Sequence, residues 1–181
     1  MRNMHKLARL LFVVSLSSIV TACVTTHSSD GSSSGTALNS DYGARLPQTI
    51  DTAEKTIVVD PRVHAWGAYE GGRQVYAGNA SAGADWCGDI HRPCHTHTGS
   101  FRIQSLGGPD CVSKIFPVGI GGAPMPYCMF FNNGQALHGV PSSEVGEGNF
   151  SHGCVRMHVA DAEWIRYNFA DIGTKVIVKP Y

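Results

Sequence analysis

The sequence predicts a mainly β domain that carries one short helix near its C-terminal end. Three observations predict it. Glycine is abundant, 21 of 181 residues, and charged residues make up only 15%. That mix suits strands joined by tight turns better than a helical bundle. Two turn signals, Gly71-Gly72 and "NNG" at 132–134, sit between apolar-rich runs, and two-residue hairpin turns of this kind use positive φ. Only one segment, Val159 to Gly173, reads as helical. One compact domain is the default at this length.

The elements follow in order. Arg2, Lys6 and Arg9 form a basic start, and "LLFVVSLSSIV" (10–20) an apolar run of eleven residues ending in "VTAC". The run is too short to span a bilayer comfortably. The arrangement resembles a bacterial lipoprotein signal over residues 1–22, cleaved before Cys23, whose thiol would carry the lipid. Val24 follows where an aspartate does not, which fits outer-membrane sorting and an exported, lipid-anchored chain facing the periplasm. Residues 23–49 contain "HSSDGSSSGTALNSDYG" (27–43), almost free of large apolar residues, and are expected to form a flexible tether. The folded domain is expected over 50–181.

Within it, "TIVVD" (56–60) reads as the opening strand. "HAWGAYE" (64–70) and "RQVYAGNAS" (73–81) form a hairpin about Gly71-Gly72. "SFRIQSL" (100–106) and "VSKIFPV" (112–118) are further strands, and "YCMFF" (127–131) and "QALHG" (135–139) a second hairpin. In the helix, Asp161 and Glu163 suit the positive end of the dipole, and Gly173 marks its stop. "TKVIVKP" (174–180) closes the chain as a strand. The formal net charge is zero, so electrostatics give no case for nucleic acid. Membrane contact is expected only through the N-terminal lipid, and the expected state is a monomer.

The chemistry centres on "NFSHGCVRMH" (149–158). A cysteine nucleophile needs a base and an array of donors for the developing oxyanion. Gly153 lets a substrate approach the backbone closely, so the N–H groups of Gly153 and Cys154 are candidate oxyanion donors. His152 is expected to be a poor base for Cys154, on the view that neighbouring side chains of an extended chain diverge. His138, at the end of "QALHG", is the better candidate, because the connection through Pro141, Gly146 and Gly148 can loop back and bring the two side by side.

These residues carry a resemblance. "HG" at 138–139 followed by "SHGCVRM" at 151–157 is similar to the signature of the L,D-transpeptidases, the YkuD-type catalytic domain. "THTGSFRI" (96–103) resembles that family's "TPTGxFxI" segment, with His97 at the proline position, and "MPYCMFFNNGQALHG" (125–139) its approach to the histidine. The similarity spans roughly residues 56–181. It implies a compact YkuD-like β-sandwich with the short helix following the SHGC motif. It implies Cys154 as nucleophile, His138 as base, and the Gly139 carbonyl as the group orienting that histidine. Gly153 and Cys154 amides would stabilise the oxyanion. His152 and Arg156 would contact substrate carboxylates, a task that suits a guanidinium fork, and Tyr127 would face substrate from a lid. Ser151 is read as a local hydrogen-bonding residue.

The implied reaction forms a Cys154 thioester with a peptidoglycan tetrapeptide stem, releases D-alanine, and passes the acyl group to an amine, giving 3→3 cross-links. It needs no metal and no organic cofactor. An L,D-carboxypeptidase that admits water, and a non-catalytic envelope lipoprotein that binds peptidoglycan or a partner protein, are the competing readings.

Five cysteines remain once Cys23 is set aside. The odd number leaves one thiol unpaired, or paired between chains, and favours a free Cys154. The expected pairing is Cys87–Cys94 within one loop and Cys111–Cys128 between strands, one of the three connectivities that four cysteines allow. Cys87, His91, Cys94, His95 and His97 also form a dense ligand set for zinc. A disulfide-closed loop is favoured over it in an exported chain. His64 is expected in a strand, His158 at the helix entry as a capping or packing residue, and Trp66, Trp86 and Trp164 in the core, with Trp86 reaching the cleft if its loop folds over.

Overall fold

The computed structural model describes residues 40–181; the expected signal, Cys23 and the expected tether up to residue 39 lie outside the described residues. Two sheets carry the fold. The first has five strands: β1 (Thr56–Asp60), β2 (Ala65–Glu70), β3 (Arg73–Asn79), β4 (Gly99–Arg102) and β9 (Lys175–Val178), ordered β3-β2-β1-β9-β4. The second has four: β5 (Ser105–Leu106), β6 (Met129–Asn132), β7 (Gln135–Val140) and β8 (Val155–His158), ordered β5-β6-β7-β8. β1–β2, β2–β3, β4–β9, β5–β6 and β6–β7 are antiparallel, whereas β1–β9 and β7–β8 are parallel.

One apolar core joins the sheets. Ile57, Val59, Trp66, Val176 and Val178 from the first meet Met129, Phe131, Leu137, Val155 and Met157 from the second. Strand β1 is buried at every position, as suits a central strand, and its middle three residues, Ile57, Val58 and Val59, are apolar. Both hairpins form as expected; at the first, Gly71 and Gly72 take φ of +56° and +78°.

Four expectations change. "VSKIFPV" is a loop. Ser113 Oγ accepts the N–H groups of Ile115 and Phe116 at 3.2 and 2.8 Å, and this side-chain turn bends the segment out of an extended path. His64 sits in the turn before β2, at φ +51°. The helix α2 (Val159–Trp164) continues as one π turn, Ile165–Phe169, closed by the Ala170 N–H to the Ile165 carbonyl at 2.7 Å. It ends there, and Gly173 lies beyond it in the turn into β9. The wide turn buries both Ile165 and Phe169.

Order also begins inside the expected tether. A short helix, α1 (Ser40–Ala44), leads into the buried Leu46, and Arg45 binds Glu147 at 2.7 Å and the Val63 carbonyl at 3.0 Å. No helix among the described residues is long and apolar enough to cross a membrane.

Candidate active site

β7 and β8 make the site. They run parallel, with His138 in register with Arg156 and Leu137 with Val155. The 141–154 connection returns the chain to a neighbouring strand, as its glycines and proline led us to expect. The outer edge of β8 is bound in turn by Ser81, which exchanges both backbone hydrogen bonds with Arg156 at 2.8 and 2.9 Å. Gly139 sits beneath the start of α2: a Cβ there would lie 2.9 Å from Val159 Cα. The absent side chain thus lets the helix clamp the strand that carries His138.

His138, His152, Gly153, Cys154 and Arg156 line one cavity of about 920 Å³. Residues of the 107–116 segment, Met125 and Cys128 line it as well. His138 is 5% exposed. Its Nδ1 lies 3.0 Å from the Gly139 carbonyl. A carbonyl can only accept, so Nδ1 carries the proton and the neutral ring keeps its lone pair on Nε2. Burial lowers the His138 pKa to about 4; the Gly139 bond opposes this and the Arg156 charge adds to it. Burial also pushes the Cys154 thiol above its ordinary value, while the Ala136 N–H and Arg156 pull the other way. The resting pair is therefore a neutral thiol and a neutral imidazole ready to accept a proton.

The low pKa of His138 couples the site to stability. In the unfolded chain the ring titrates near 6.5, in the fold near 4. As pH falls between these values the unfolded state binds the proton first. The stability contribution is complete above about pH 6.5 and is lost toward pH 4, about 3 kcal/mol in all. Urea melts at pH 7 and pH 4 should show that loss, and His138→Gln should remove it; an unchanged pH dependence in the variant would assign the loss to other groups.

The motif is tightly bound by its surroundings. Gly153 holds φ +120°, a conformation that an L side chain rarely adopts, and a Cβ would meet Gln135 Nε2 at 2.9 Å. Buried Thr96, from the "THTG" segment, donates to the Gly153 carbonyl at 2.9 Å and accepts the Gly83 N–H at 3.0 Å. Ser151 Oγ accepts the Gly153 N–H at 3.0 Å and donates to the Cys154 carbonyl. This corrects the expectation of two free oxyanion donors. The Gly153 amide is already engaged, and among the described residues the Cys154 amide alone of the two has no acceptor.

Other expectations are also revised. Tyr127 does not line the cavity: its hydroxyl donates to Glu163 at 2.9 Å and its ring meets Tyr167 edge-on. Its backbone, at φ +59°, turns the side chain onto the α2 surface. His152 does not diverge from Cys154. The two are separated by Gly153, and both face the cavity. Instead, His152 Nε2 is occupied by Asp89, at 2.8 and 2.9 Å from its two oxygens. Arg156 faces Glu144 at 3.9 Å. His158 Nδ1 meets Ser142 Oγ at 3.1 Å and caps nothing with its side chain. Trp66 is fully buried, Trp164 packs against the core, and Trp86 is 59% exposed and away from the cavity.

The disulfides are Cys87–Cys94 and Cys111–Cys128, and Cys154 is free. Both thiols of the dense Cys/His segment are thereby consumed. His95 binds Asp85 at 2.6 Å and His97 meets Asn132 at 2.8 Å. Among the described residues, Cys87, Asp89 and His152 are close enough together for a metal, but that sulfur belongs to the disulfide. Sequence reasoning missed Asp89, Phe116 and Gln135. No local signal marks them, because each meets the motif from a distant loop or neighbouring strand.

The model of a YkuD-type L,D-transpeptidase catalytic domain matches residues 54–178. Among solved structures, the fold is similar to an L,D-transpeptidase from Xylanimonas cellulosilytica, with TM-score 0.62, 27% identity, and 75% of this chain and 65% of that one covered. An L,D-transpeptidase from Mycobacterium tuberculosis H37Rv gives TM-score 0.56, 26% identity, and coverage of 70% and 57%. One from Mycobacterium smegmatis, at 22% identity and TM-score 0.58, with coverage of 71% and 59%, bears on the fold alone. The matched part of this chain thus spans 57 to 65% of the length of these structures. No curated protein matches the chain.

Proposed function

Because the chain belongs to the L,D-transpeptidase (YkuD) family, we propose that it is a cysteine acyltransferase acting on peptidoglycan stem peptides. The observation that carries the reading is that the free thiol of Cys154 and the buried imidazole of His138 line the same cavity. Cys154 Sγ attacks the carbonyl that joins the third, diamino residue of a tetrapeptide stem to its terminal D-alanine. His138 Nε2 takes the thiol proton and returns it to the departing amine. The Cys154 N–H faces the oxyanion, and a donor from the 107–116 wall or a released Gly153 amide completes its support. The amine of a second stem then displaces sulfur from the thioester, and a 3→3 cross-link results. Arg156, with a charge that pulls the Cys154 pKa down, favours thiolate formation and offers a fork for a stem carboxylate.

The test is mass spectrometry of tetrapeptide muropeptides incubated with the protein. Dimers lacking one D-alanine are expected. Tripeptide alone would make the protein a carboxypeptidase, and no turnover with retained sacculus binding would make it a binding module. The leader and Cys23 support an exported chain anchored by lipid in the outer membrane and facing the periplasm. Metabolic labelling with a fatty acid should mark the wild type and not Cys23→Ser; equal labelling would move the attachment elsewhere or remove it.

A further inference from the structure

The two disulfide-closed loops converge on one side chain. Asp89 lies inside the Cys87–Cys94 loop and grips His152 Nε2 with both carboxylate oxygens, at 2.8 and 2.9 Å. Phe116 lies inside the Cys111–Cys128 loop, its ring centroid 4.5 Å from that of His152. The first loop is fastened further by the Cys87 N–H to the Arg92 carbonyl at 3.0 Å and the Cys94 N–H to the Ala84 carbonyl at 3.3 Å. His152 is thus held at its ring edge and on its face by two separately closed loops, two residues before Cys154 and on the same cavity.

A ring held in this way has a defined tautomer. A carboxylate only accepts, so Nε2 carries a proton, and in the neutral ring the lone pair is on Nδ1. The His152 contact in turn holds the Asp89 carboxyl below its usual range, so the carboxylate is ionised at neutral pH. An ionised carboxylate behind an imidazole fixes the ring's tautomer and orientation. His138 has no such partner: its Nδ1 faces a carbonyl and its surroundings oppose the cation. The cavity therefore holds two histidines of different character, one buried and weakly basic, the other backed by a carboxylate at the more open side.

We propose that Asp89 is a positioning residue for the second half-reaction, setting His152 to take the proton of the incoming amine; this rests on the transpeptidase reading above. In that step the amine nitrogen forms the new C–N bond and the thioester C–S bond breaks. The amine's surplus proton passes to His152 and on to solvent. The departing sulfur regains a proton from water through His138, which restores the thiol. No redox change occurs and no co-reactant is needed.

Intact-mass spectrometry of the full folded domain, mixed with a tetrapeptide donor with and without an amine acceptor, separates the two halves. Asp89→Asn should form the Cys154 acyl-enzyme and release D-alanine within about twofold of the wild-type rate, yet transfer the acyl group at least about tenfold more slowly. The acyl-enzyme should accumulate, with kcat and the KM for donor falling together while kcat/KM for donor stays near the wild-type value. His152→Gln should show the same selective defect, the double variant should be no slower than either single one, and Asp89→Glu should recover part of the rate. Equal loss in both halves, or a wild-type transfer rate in Asp89→Asn, would overturn the positioning role while leaving the enzyme's function intact. Absence of any acyl-enzyme in the wild type would overturn both.

Discussion

Cys154→Ala is expected to abolish D-alanine release and dimer formation together, a fall of at least about 10³-fold against wild type. Alanine supplies no nucleophile, and the other described thiols are held in disulfides, so none can substitute. The fold should survive, because Cys154 only borders the small cluster of Met125, Cys128 and Ala136; a melting temperature close to wild type would show that the loss is chemical. Dimer formation that persists in the variant would remove Cys154 from the reaction.

His138→Gln is expected to lower the rate of acyl-enzyme formation by about 10²- to 10⁴-fold, the range of a lost general base. Glutamine fills similar space and its amide can still donate to the Gly139 carbonyl, but it has no basic nitrogen. The pH profile carries the sharper information. The wild-type acylation rate should fall as pH drops through about 4, where His138 takes a proton in the fold. Above that the ring is neutral and competent. The variant has to rely on thiolate formed by titration, and burial places that thiol above its ordinary range. Its residual rate should therefore climb with pH through neutrality. A variant with the wild-type rate and profile would assign the base to another group.

The site was legible in sequence where chemistry and spacing coincide. Cysteine parity favoured a free Cys154, and the repeated strand–turn–strand pattern placed "QALHG" where β7 forms. The Gly139 carbonyl stands where the resemblance put it, on His138 Nδ1. The apolar residues of "VSKIFPV" misled, because an apolar-rich run forms a strand only if a neighbour accepts its hydrogen bonds; here Ser113 captures the backbone first. Tyr127 misled for a related reason. A residue at φ +59° aims its side chain differently from the extended residue that sequence alone suggests.

The sequence by itself pointed to the thiol that stays free, the histidine that shares its cavity, the hairpins and the glycine that opens the motif's backbone. These depend on residue type and on pairs close along the chain. Tertiary structure alone decided what surrounds them. The Asp89–His152 pair spans 63 residues, and Phe116 reaches the same ring from another loop. The depth that lowers His138 exists only once the sheets have closed over a shared core. Burial and long-range contact are properties of the packed chain, and no local pattern encodes a pKa or a partner that the fold brings in from another strand.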